Sequence, residues 1–165
     1  MGKIKPTTVS IEDRLDLLDL IARYCWTLDT GDIDGYAGCF TEDGWVDHGP
    51  QGKLQGREGL KSLTEQLWYA KPDHYLGRQH RMSQHLFSYE GGGVRIKCFW
   101  SILQQRVATG ECFVFALGTW DAQAVKVDGE WLLSGLYVDI WRGRNVPWVG
   151  DARAGETTKA PTQSY

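Results

Sequence analysis

The sequence Ile21-Ala22-Arg23-Tyr24-Cys25-Trp26-Thr27-Leu28-Asp29-Thr30-Gly31-Asp32 completes the first apolar pattern of the chain. The pattern begins upstream, and its members recur at spacings of three and four, as in a helix that lies on a core: Leu15, Leu18, Ile21, Ala22, Cys25 and Leu28. Ser10 suits the N-cap of this helix, and Gly31 ends it. A short second helix over 32–39, a turn over 41–44, a short strand over 45–48 and a third helix over 57–69 are predicted to follow.

From residue 77 on, the apolar period changes from 3.6 to 2. Four long strands are predicted over 79–89, 94–106, 111–127 and 130–142, joined by short turns into an antiparallel meander. Three helices followed by a meander indicate an α+β domain, in which three N-terminal helices pack in a curved, mostly antiparallel sheet that leaves a cone-shaped hollow. We predict an N-terminal extension at 1–9, the domain at 10–142 and a partly disordered C-terminal tail at 143–165.

Composition excludes several classes of function. The chain has 165 residues and a net charge of -3, so it offers no basic face for nucleic acid or for an anionic membrane surface. It contains no apolar run of about 18 residues and no signal-peptide pattern, which indicates a cytoplasmic protein. The four cysteines are widely spaced and are predicted to be buried free thiols: Cys25, Cys39, Cys98 and Cys112.

Aromatic content and strand alternation predict a pocket. Eight Trp and seven Tyr exceed what a core of this size needs, so some of these rings are expected to line a cavity. On the first long strand His80 faces the hollow together with alternate residues, and pairing through the short turns places Leu103 near His80. The predicted substrate-binding residues are Trp45, Met82, Gln84, Ser101, Leu103, Ala116, Gly118, Tyr137 and Trp141.

Asp29 occupies a position where an acid is hard to explain structurally, because the dipole of the first helix opposes a negative charge at its C-terminal end. Either Asp29 caps the turn that follows, or its carboxylate binds one nitrogen of a histidine and leaves the other nitrogen as a base. His80 is the histidine predicted to face inward. The other three are interpreted as solvated or structural: His48, His74 and His85.

Tyr24 is a further candidate for the site. Tyr24 lies about 140° from Asp29 around an ideal helix, so it is either a core residue or, at a curved helix end, a phenol on the pocket floor.

No spacing of histidines, cysteines or acids is typical of a metal site, and no glycine-rich loop opens a helix. We expect no metal and no organic cofactor.

A resemblance to a known family rests on the run from Ile21 to Asp32, on Phe40-Thr41-Glu42-Asp43-Gly44, on Gly56-Arg57-Glu58-Gly59-Leu60 and on His80. Over residues 10–142 the chain resembles the SnoaL-like branch of the nuclear transport factor 2 superfamily, whose relatives include scytalone dehydratase, bile acid 7α-dehydratase and hexachlorocyclohexane dehydrochlorinase. The resemblance implies a catalytic dyad of Asp29 and His80, a pocket tyrosine at Tyr24, and activity without metal or cofactor. Gln84 stands where the family often has Asn, and no histidine follows His85, unlike in scytalone dehydratase.

The resemblance and the aromatic content together predict a cofactor-independent lyase. His80, oriented by Asp29, would remove a proton from a small hydrophobic aromatic substrate, possible examples being lignin-derived diaryl compounds, and water, halide or formaldehyde would leave. The alternatives are a non-catalytic small subunit of a ring-hydroxylating dioxygenase, a ligand-binding module, and an isomerase or cyclase on the same fold. A homodimer or homotrimer is expected.

Overall fold

Three helices and six strands form the part of the chain that the computed structural model describes, residues 8–48, 52–68 and 77–141. The helices are α1 (Ile11–Thr30), α2 (Ile33–Gly38) and α3 (Gly56–Trp68). The strands are β1 (Phe40–Asp47), β2 (Lys53–Gln55), β3 (Gln79–Glu90), β4 (Gly93–Gln105), β5 (Cys112–Val127) and β6 (Glu130–Ile140). The predicted α+β class is confirmed, although β1 starts earlier than predicted and includes the predicted turn at 41–44, and β2 lies where no strand was predicted.

Helix α1 has the predicted ends but a different buried face. The Asp13 N–H donates to Ser10 Oγ at 3.1 Å, and Gly31 adopts φ 77°, a left-handed conformation that glycine takes without steric cost. The buried residues of the helix are Leu17, Leu20, Ile21, Tyr24 and Leu28. Leu15 and Leu18, which were predicted to be buried, are exposed, because two apolar stripes run side by side on α1 and the neighbouring one meets the core.

The six strands form one sheet in the order β2-β1-β6-β5-β4-β3. Only the pair β1 and β6 is parallel among the described strand pairs, so the sheet is mostly antiparallel, as predicted. One face, here called the inner face, packs against α1, and Tyr24 contacts Trp120 of β5 there with ring centroids 5.6 Å apart. Every second residue of β4 is buried on this face, from Val94 to Gln104.

Bulges shift the strand register that tight turns alone would give. Next to the β3–β4 turn, Leu86 pairs with Lys97, in the predicted register. At Gln84 the backbone has φ 52°, and beyond this bulge the pairing moves by one residue, so His80 lies opposite Ile102 instead of Leu103. Similar irregularities interrupt β4–β5 and β5–β6.

The carboxylate of Asp13 ties α1 to three strands. Its Oδ2 accepts from the Tyr89 hydroxyl at 2.8 Å, and its Oδ1 accepts from Lys126 Nζ at 3.1 Å and from Trp131 Nε1 at 3.0 Å. The hydrogen bond from Tyr89, followed by that from Lys126, lowers the pKa of Asp13 to about 2. This cluster fixes the N-terminal end of α1 over the sheet, while the site described next lies at its other end.

Candidate active site

Asp29 and His80 form a hydrogen-bonded pair where the end of α1 meets the start of β3. Asp29 Oδ1 lies 2.5 Å from His80 Nδ1, and Asp29 Oδ2 accepts from the backbone N–H of His80 at 2.7 Å. Both side chains are largely buried, with 15% of Asp29 and 9% of His80 exposed. One carboxylate therefore fixes both the main chain and the ring of the histidine.

The local sequence explains why this acid stands at a helix end. The turn after α1 is closed by backbone groups, since the N–H of Asp32 donates to Thr27 O at 2.9 Å, and both Asp29 oxygens bind His80 instead of capping this turn. A carboxylate on Nδ1 holds the neutral ring with its proton on that nitrogen and leaves Nε2 as the basic atom. The pair can thus accept a proton at Nε2 and stabilise the resulting imidazolium.

The inner face around His80 is apolar. Met82 follows on the same face of β3, and Ile102 and Trp100 lie opposite His80 and Met82 on β4. Met82 Sδ is 4.0 Å from Cys98 Sγ, and burial raises the pKa of the Cys98 thiol to about 12, so this sulfur stays a neutral part of the wall. A water-poor wall of this kind strengthens the electrostatic interactions beside the dyad.

Ala116 and Gly118 lie on the inner face of β5, as predicted, opposite Ile102 and Trp100. A Cβ at Gly118 would lie 3.0 Å from the indole nitrogen of Trp100 and would collide with the backbone oxygen of Asp139. Glycine is needed there because Trp100 Nε1 passes over it to donate to the Thr119 and Asp139 carbonyls, at 3.0 and 3.2 Å. Gly118 thus makes room for the Trp100 side chain.

The bulge in β3 corrects the predicted face of two residues. Gln84, predicted to line the pocket, is the bulge residue and is exposed. His85 was predicted to lie on the face opposite to His80. It stacks on the buried Phe87, with ring centroids 6.0 Å apart, and therefore lies on the inner face. The prediction assumed that side chains alternate between the two faces along the whole of β3. Gln84, with its positive φ, shifts this alternation by one residue.

Five more predicted pocket residues lie on the opposite, outer face. Ser101 and Leu103 alternate with the buried residues of β4 and pair with Arg81 and Gln79. The other three are exposed or pack on residues of the outer face. Tyr137 is 44% exposed and lies opposite Asp121, and the Trp141 ring meets the Phe99 ring edge-on, with centroids 5.8 Å apart. Trp45 packs on Gly135, with Lys53 over its ring. The one-residue register shifts at the bulges account for the β4 and β6 errors.

Tyr24 belongs to an aromatic cluster of the core. It is 2% exposed, and its ring centroid lies 5.4 Å from that of Tyr36, 5.6 Å from that of Trp120 and 6.2 Å from that of Phe40. These contacts support the core interpretation that the sequence left open. Its assignment as a pocket tyrosine stays a prediction.

His48 is a candidate that the sequence analysis assigned to structure or solvent. It follows the last residue of β1, is half-buried, and its pKa is lowered to about 4 by burial and, secondarily, by the proximity of His80. No spacing in the sequence links residues 48 and 80, which belong to distant segments of the chain. His74 lies outside the described residues.

Arg78 and Gln104 flank the dyad at the edge of the sheet. Arg78 precedes His80 by two residues and is 6% exposed, and its Nε and Nη2 donate to Gln104 Oε1 at 3.1 and 2.6 Å. Its guanidinium carbon lies 4.2 Å from the centroid of the Phe115 ring. No sequence pattern predicted this pair, which joins the start of β3 to the end of β4.

Neither a metal-binding cluster nor a membrane-spanning helix is present among the described residues. No group of three or more histidine, cysteine or acidic side chains there has the arrangement of a metal site. No helix in the same ranges is long and apolar enough to span a bilayer. All four cysteines are free, and Cys112 is exposed, contrary to the prediction that all would be buried.

Comparisons with known proteins give the family and the fold. The sequence profile of the SnoaL-like domain matches residues 9–137. Among solved structures, Rv3472 from Mycobacterium tuberculosis, of unknown function, is 24% identical with a TM-score of 0.71, covering 90% of this chain and 88% of that one. An NTF2-like protein with a cystatin-like fold from Novosphingobium aromaticivorans is 19% identical with a TM-score of 0.72, covering 82% and 86%.

A third similar structure is ActVI-ORFA from Streptomyces coelicolor, 23% identical with a TM-score of 0.69, covering 77% of this chain and 96% of that one. At these identities the likeness shows the fold alone. No protein with curated function matches the chain.

Proposed function

The chain belongs to the SnoaL-like domain family, and on that premise we propose that it is a cofactor-independent lyase acting on a small hydrophobic aromatic molecule. The observation that carries the proposal is the buried Asp29–His80 pair, with Nδ1 of the ring on the carboxylate. A histidine held in this way is a general base at its other nitrogen, Nε2.

In the elimination, His80 Nε2 takes a proton from a carbon next to a carbonyl group of the substrate. The electron pair of that C–H bond forms a C=C bond, and the C–O bond to the leaving hydroxyl breaks. The departing hydroxide takes the proton back from the imidazolium and leaves as water. Asp29 stabilises the imidazolium between these two transfers.

A retro-aldol reaction would use the same groups. His80 would then take the proton of a hydroxymethyl group, the C–C bond would break as formaldehyde forms, and the proton would return to the carbon. The apolar wall of Met82, Trp100 and Ile102 supports an aromatic substrate, because flat rings bury well against such side chains. Lignin-derived diaryl compounds belong to this class.

The activity is tested with the aldol adduct of benzaldehyde and acetone as a surrogate substrate, alongside aryl compounds that carry a β-halide or a hydroxymethyl group. Dehydration of the adduct gives a conjugated enone that absorbs in the ultraviolet, and retro-aldol cleavage returns benzaldehyde. We expect His80→Ala and Asp29→Asn each to lower kcat/KM at least about a hundredfold.

His85→Gln is the matched control, since His85 is another half-buried histidine of β3 that stacks on Phe87 away from the dyad. It should keep near-parental activity. Near-parental turnover by either dyad variant, with the fold intact, would contradict the proposal.

We also propose that the chain assembles as a homodimer or homotrimer through the outer face. Apolar rings and chains are exposed there, including Phe99 and Leu117, and the charges beside them are already paired, with Arg95 Nε and Nη2 each 2.8 Å from an oxygen of Asp121. A balanced surface of this kind does not repel a second copy of itself. Light scattering of the purified chain tests this: a monomer at micromolar concentration would contradict it.

A further inference from the structure

The tip of the β4–β5 hairpin contains a cleft. Its volume is about 530 Å³, which is within the range of pockets that hold small molecules. Its walls come from the end of β4, the turn and the start of β5, and include Gln104, Arg106, Val107, Ala108, Phe113 and Phe115. The aliphatic and aromatic members of this set give the cleft an apolar wall on which an aromatic ring packs well.

The strand register places this cleft next to the dyad. His80 lies opposite Ile102, and Gln104 follows Ile102 by two residues on the same inner face. The separation along β4 is about 7 Å, since each residue of an antiparallel strand advances the chain by about 3.4 Å. A single row of side chains therefore separates the dyad from the wall of the cleft.

Arg78 connects the two places by contact. It precedes His80 by two residues, and its Nε and Nη2 donate to Gln104 Oε1 at 3.1 and 2.6 Å. Its guanidinium carbon also lies 4.2 Å from the centroid of the Phe115 ring. Gln104 and Phe115 both line the cleft, so the start of the dyad strand holds this wall in place.

The charge of the cleft is positive. Among the described residues that line it, Arg106 is the only ionisable side chain. Its guanidinium is fixed by Glu111, which accepts from Nε at 2.9 Å and does not line the cleft, and by the Phe113 ring, with 4.5 Å between the guanidinium carbon and the ring centroid. Within the described parts of the chain, its two Nη groups donate to no side chain or carbonyl. A guanidinium held in this way is suited to binding a carboxylate through two hydrogen bonds.

We propose that this cleft is a second subsite, which binds the far end of the substrate as an aromatic carboxylate. The inference rests on the proposed function and deepens it, because it assigns the lyase a substrate with two rings, one of which carries the acid. The second ring packs on Val107 and Phe115, and its carboxylate accepts hydrogen bonds from the Nη groups of Arg106. The reacting carbon lies one row of side chains away, at His80.

The first experiment measures binding by calorimetry and needs no turnover. The probes are biphenyl-4-carboxylate and biphenyl-4-carboxamide, which have a similar shape and differ in charge. We expect the parent to bind the carboxylate at least about tenfold more tightly, because hydrogen bonds to a charged acceptor are roughly twice as strong as those to a neutral one. Arg106→Gln should remove this preference. A parent that binds neither probe, or binds both with equal affinity, would overturn the proposal.

A negative charge placed in the cleft gives a matched comparison. Val107→Asp should weaken the binding of biphenyl-4-carboxylate by about tenfold or more, because it sets two like charges side by side. Val127→Asp adds the same charge at another exposed valine, at the far end of β5, and should leave the affinity unchanged. Circular dichroism checks that both variants fold. Unchanged affinity in Val107→Asp, or an equal loss in the two variants, would overturn the assignment to the cleft.

The second experiment measures turnover of the aldol adduct of benzaldehyde and 4-acetylbenzoate, whose dehydration gives a conjugated enone. The adduct of benzaldehyde and 4-acetylbenzamide is the neutral comparison. We expect the parent kcat/KM to be at least about tenfold higher for the carboxylate, mainly through a lower KM, since the subsite binds ground state and transition state alike. Val107→Asp should remove this difference, and Val127→Asp should keep it.

The two proposals fail separately. If the parent turns over both adducts equally well and binds both biphenyl probes equally, the lyase stands and the subsite falls. If it turns over neither adduct but prefers biphenyl-4-carboxylate, and Val107→Asp abolishes this preference, the lyase falls and the cleft stands as a site for aromatic carboxylates.

Discussion

Asp29 shows how a single residue connects fold and site. Its charge is unfavourable at the C-terminal end of α1, typically by 0.3–1 kcal/mol. Two hydrogen bonds to His80, one to the ring and one to the main chain, offset this cost, since each bond to a charged group contributes about 1.5–3 kcal/mol. The residue is therefore best explained by its partner on β3 and not by its own helix.

His48 predicts a dependence of stability on pH. Its pKa in the folded chain is about 4, below the ordinary 6.5. Between these two values the unfolded chain binds a proton that the folded chain does not, so the free energy of unfolding decreases as the pH falls from 6.5 to 4, by up to about 3 kcal/mol, and this contribution stays constant below 4.

Urea unfolding of the parent and His48→Gln across this range measures the effect. The variant lacks the titrating ring, so its stability should decrease less between pH 6.5 and pH 4 than that of the parent. Parallel curves for the two proteins would contradict the buried, neutral state of His48.

At the scale of elements, the bulge of β3 decides which residues join His80 on the inner face. Gln84 takes φ 52°, a conformation that costs a residue with a Cβ about 1–2 kcal/mol. Gln84→Gly should remove this strain, while the greater backbone entropy of glycine in the unfolded chain offsets part of the gain. The net result should be a free energy of unfolding that is higher by about 0.5–1 kcal/mol.

The matched comparison is Gln84→Ala, which keeps the Cβ and should give no gain in the same denaturation measurement. A glycine variant that is no more stable than the alanine variant would show that the bulge is not strained. Activity should be unchanged in both, because Gln84 is exposed.

The Asp13 cluster is the second device at this scale, since it holds α1 against β3, β5 and β6. Asp13→Asn should lower the free energy of unfolding by about 2 kcal/mol at pH 7, because it weakens charge-assisted hydrogen bonds. The folded-state pKa of about 2 lies below the ordinary 3.8, so this stabilisation is fully present above pH 3.8 and is lost as the pH falls toward 2.

The difference in denaturation midpoint between the parent and Asp13→Asn should therefore be constant from neutral pH to about pH 4 and should shrink below it. Asp19→Asn, on the exposed side of the same helix, controls for loss of helix charge and should have a small effect. A difference that persists undiminished at pH 2 would mean that the carboxylate charge is not what ties the helix to the strands.

At the scale of the whole molecule, local patterns predicted the element order and the class, because capping residues, turns and periodicity are short-range signals. These patterns left open whether Asp29 caps its own turn or binds a histidine, and the pairing with His80 was implied by the family resemblance. The predicted strand pairing was wrong by one residue beyond each bulge. Tyr137, Trp141 and Leu103 were therefore assigned to the wrong face. The bulge at Gln84 contains no glycine or other residue that would mark it in the sequence, so a prediction based on alternation cannot locate it.

The lowered pKa of His48 could not be predicted for a different reason. It arises mainly from burial and secondarily from the charge of His80, two residues on strands that are far apart in the sequence and in the strand order. The relative placement of such strands depends on the twist and the bulges of all the strands between them, and no pair of positions in the sequence records it.

The central claim is that Asp29 holds the neutral His80 ring with its proton on Nδ1 and leaves Nε2 as the base. Long-range proton–nitrogen correlation NMR of the ring, at a pH where it is neutral, measures this tautomer directly. We predict the Nδ1–H tautomer in the parent and its loss in Asp29→Leu, which removes the acceptor but keeps a side chain of similar size. A parent His80 ring in the Nε2–H tautomer, or a ring state unchanged in Asp29→Leu, would contradict it.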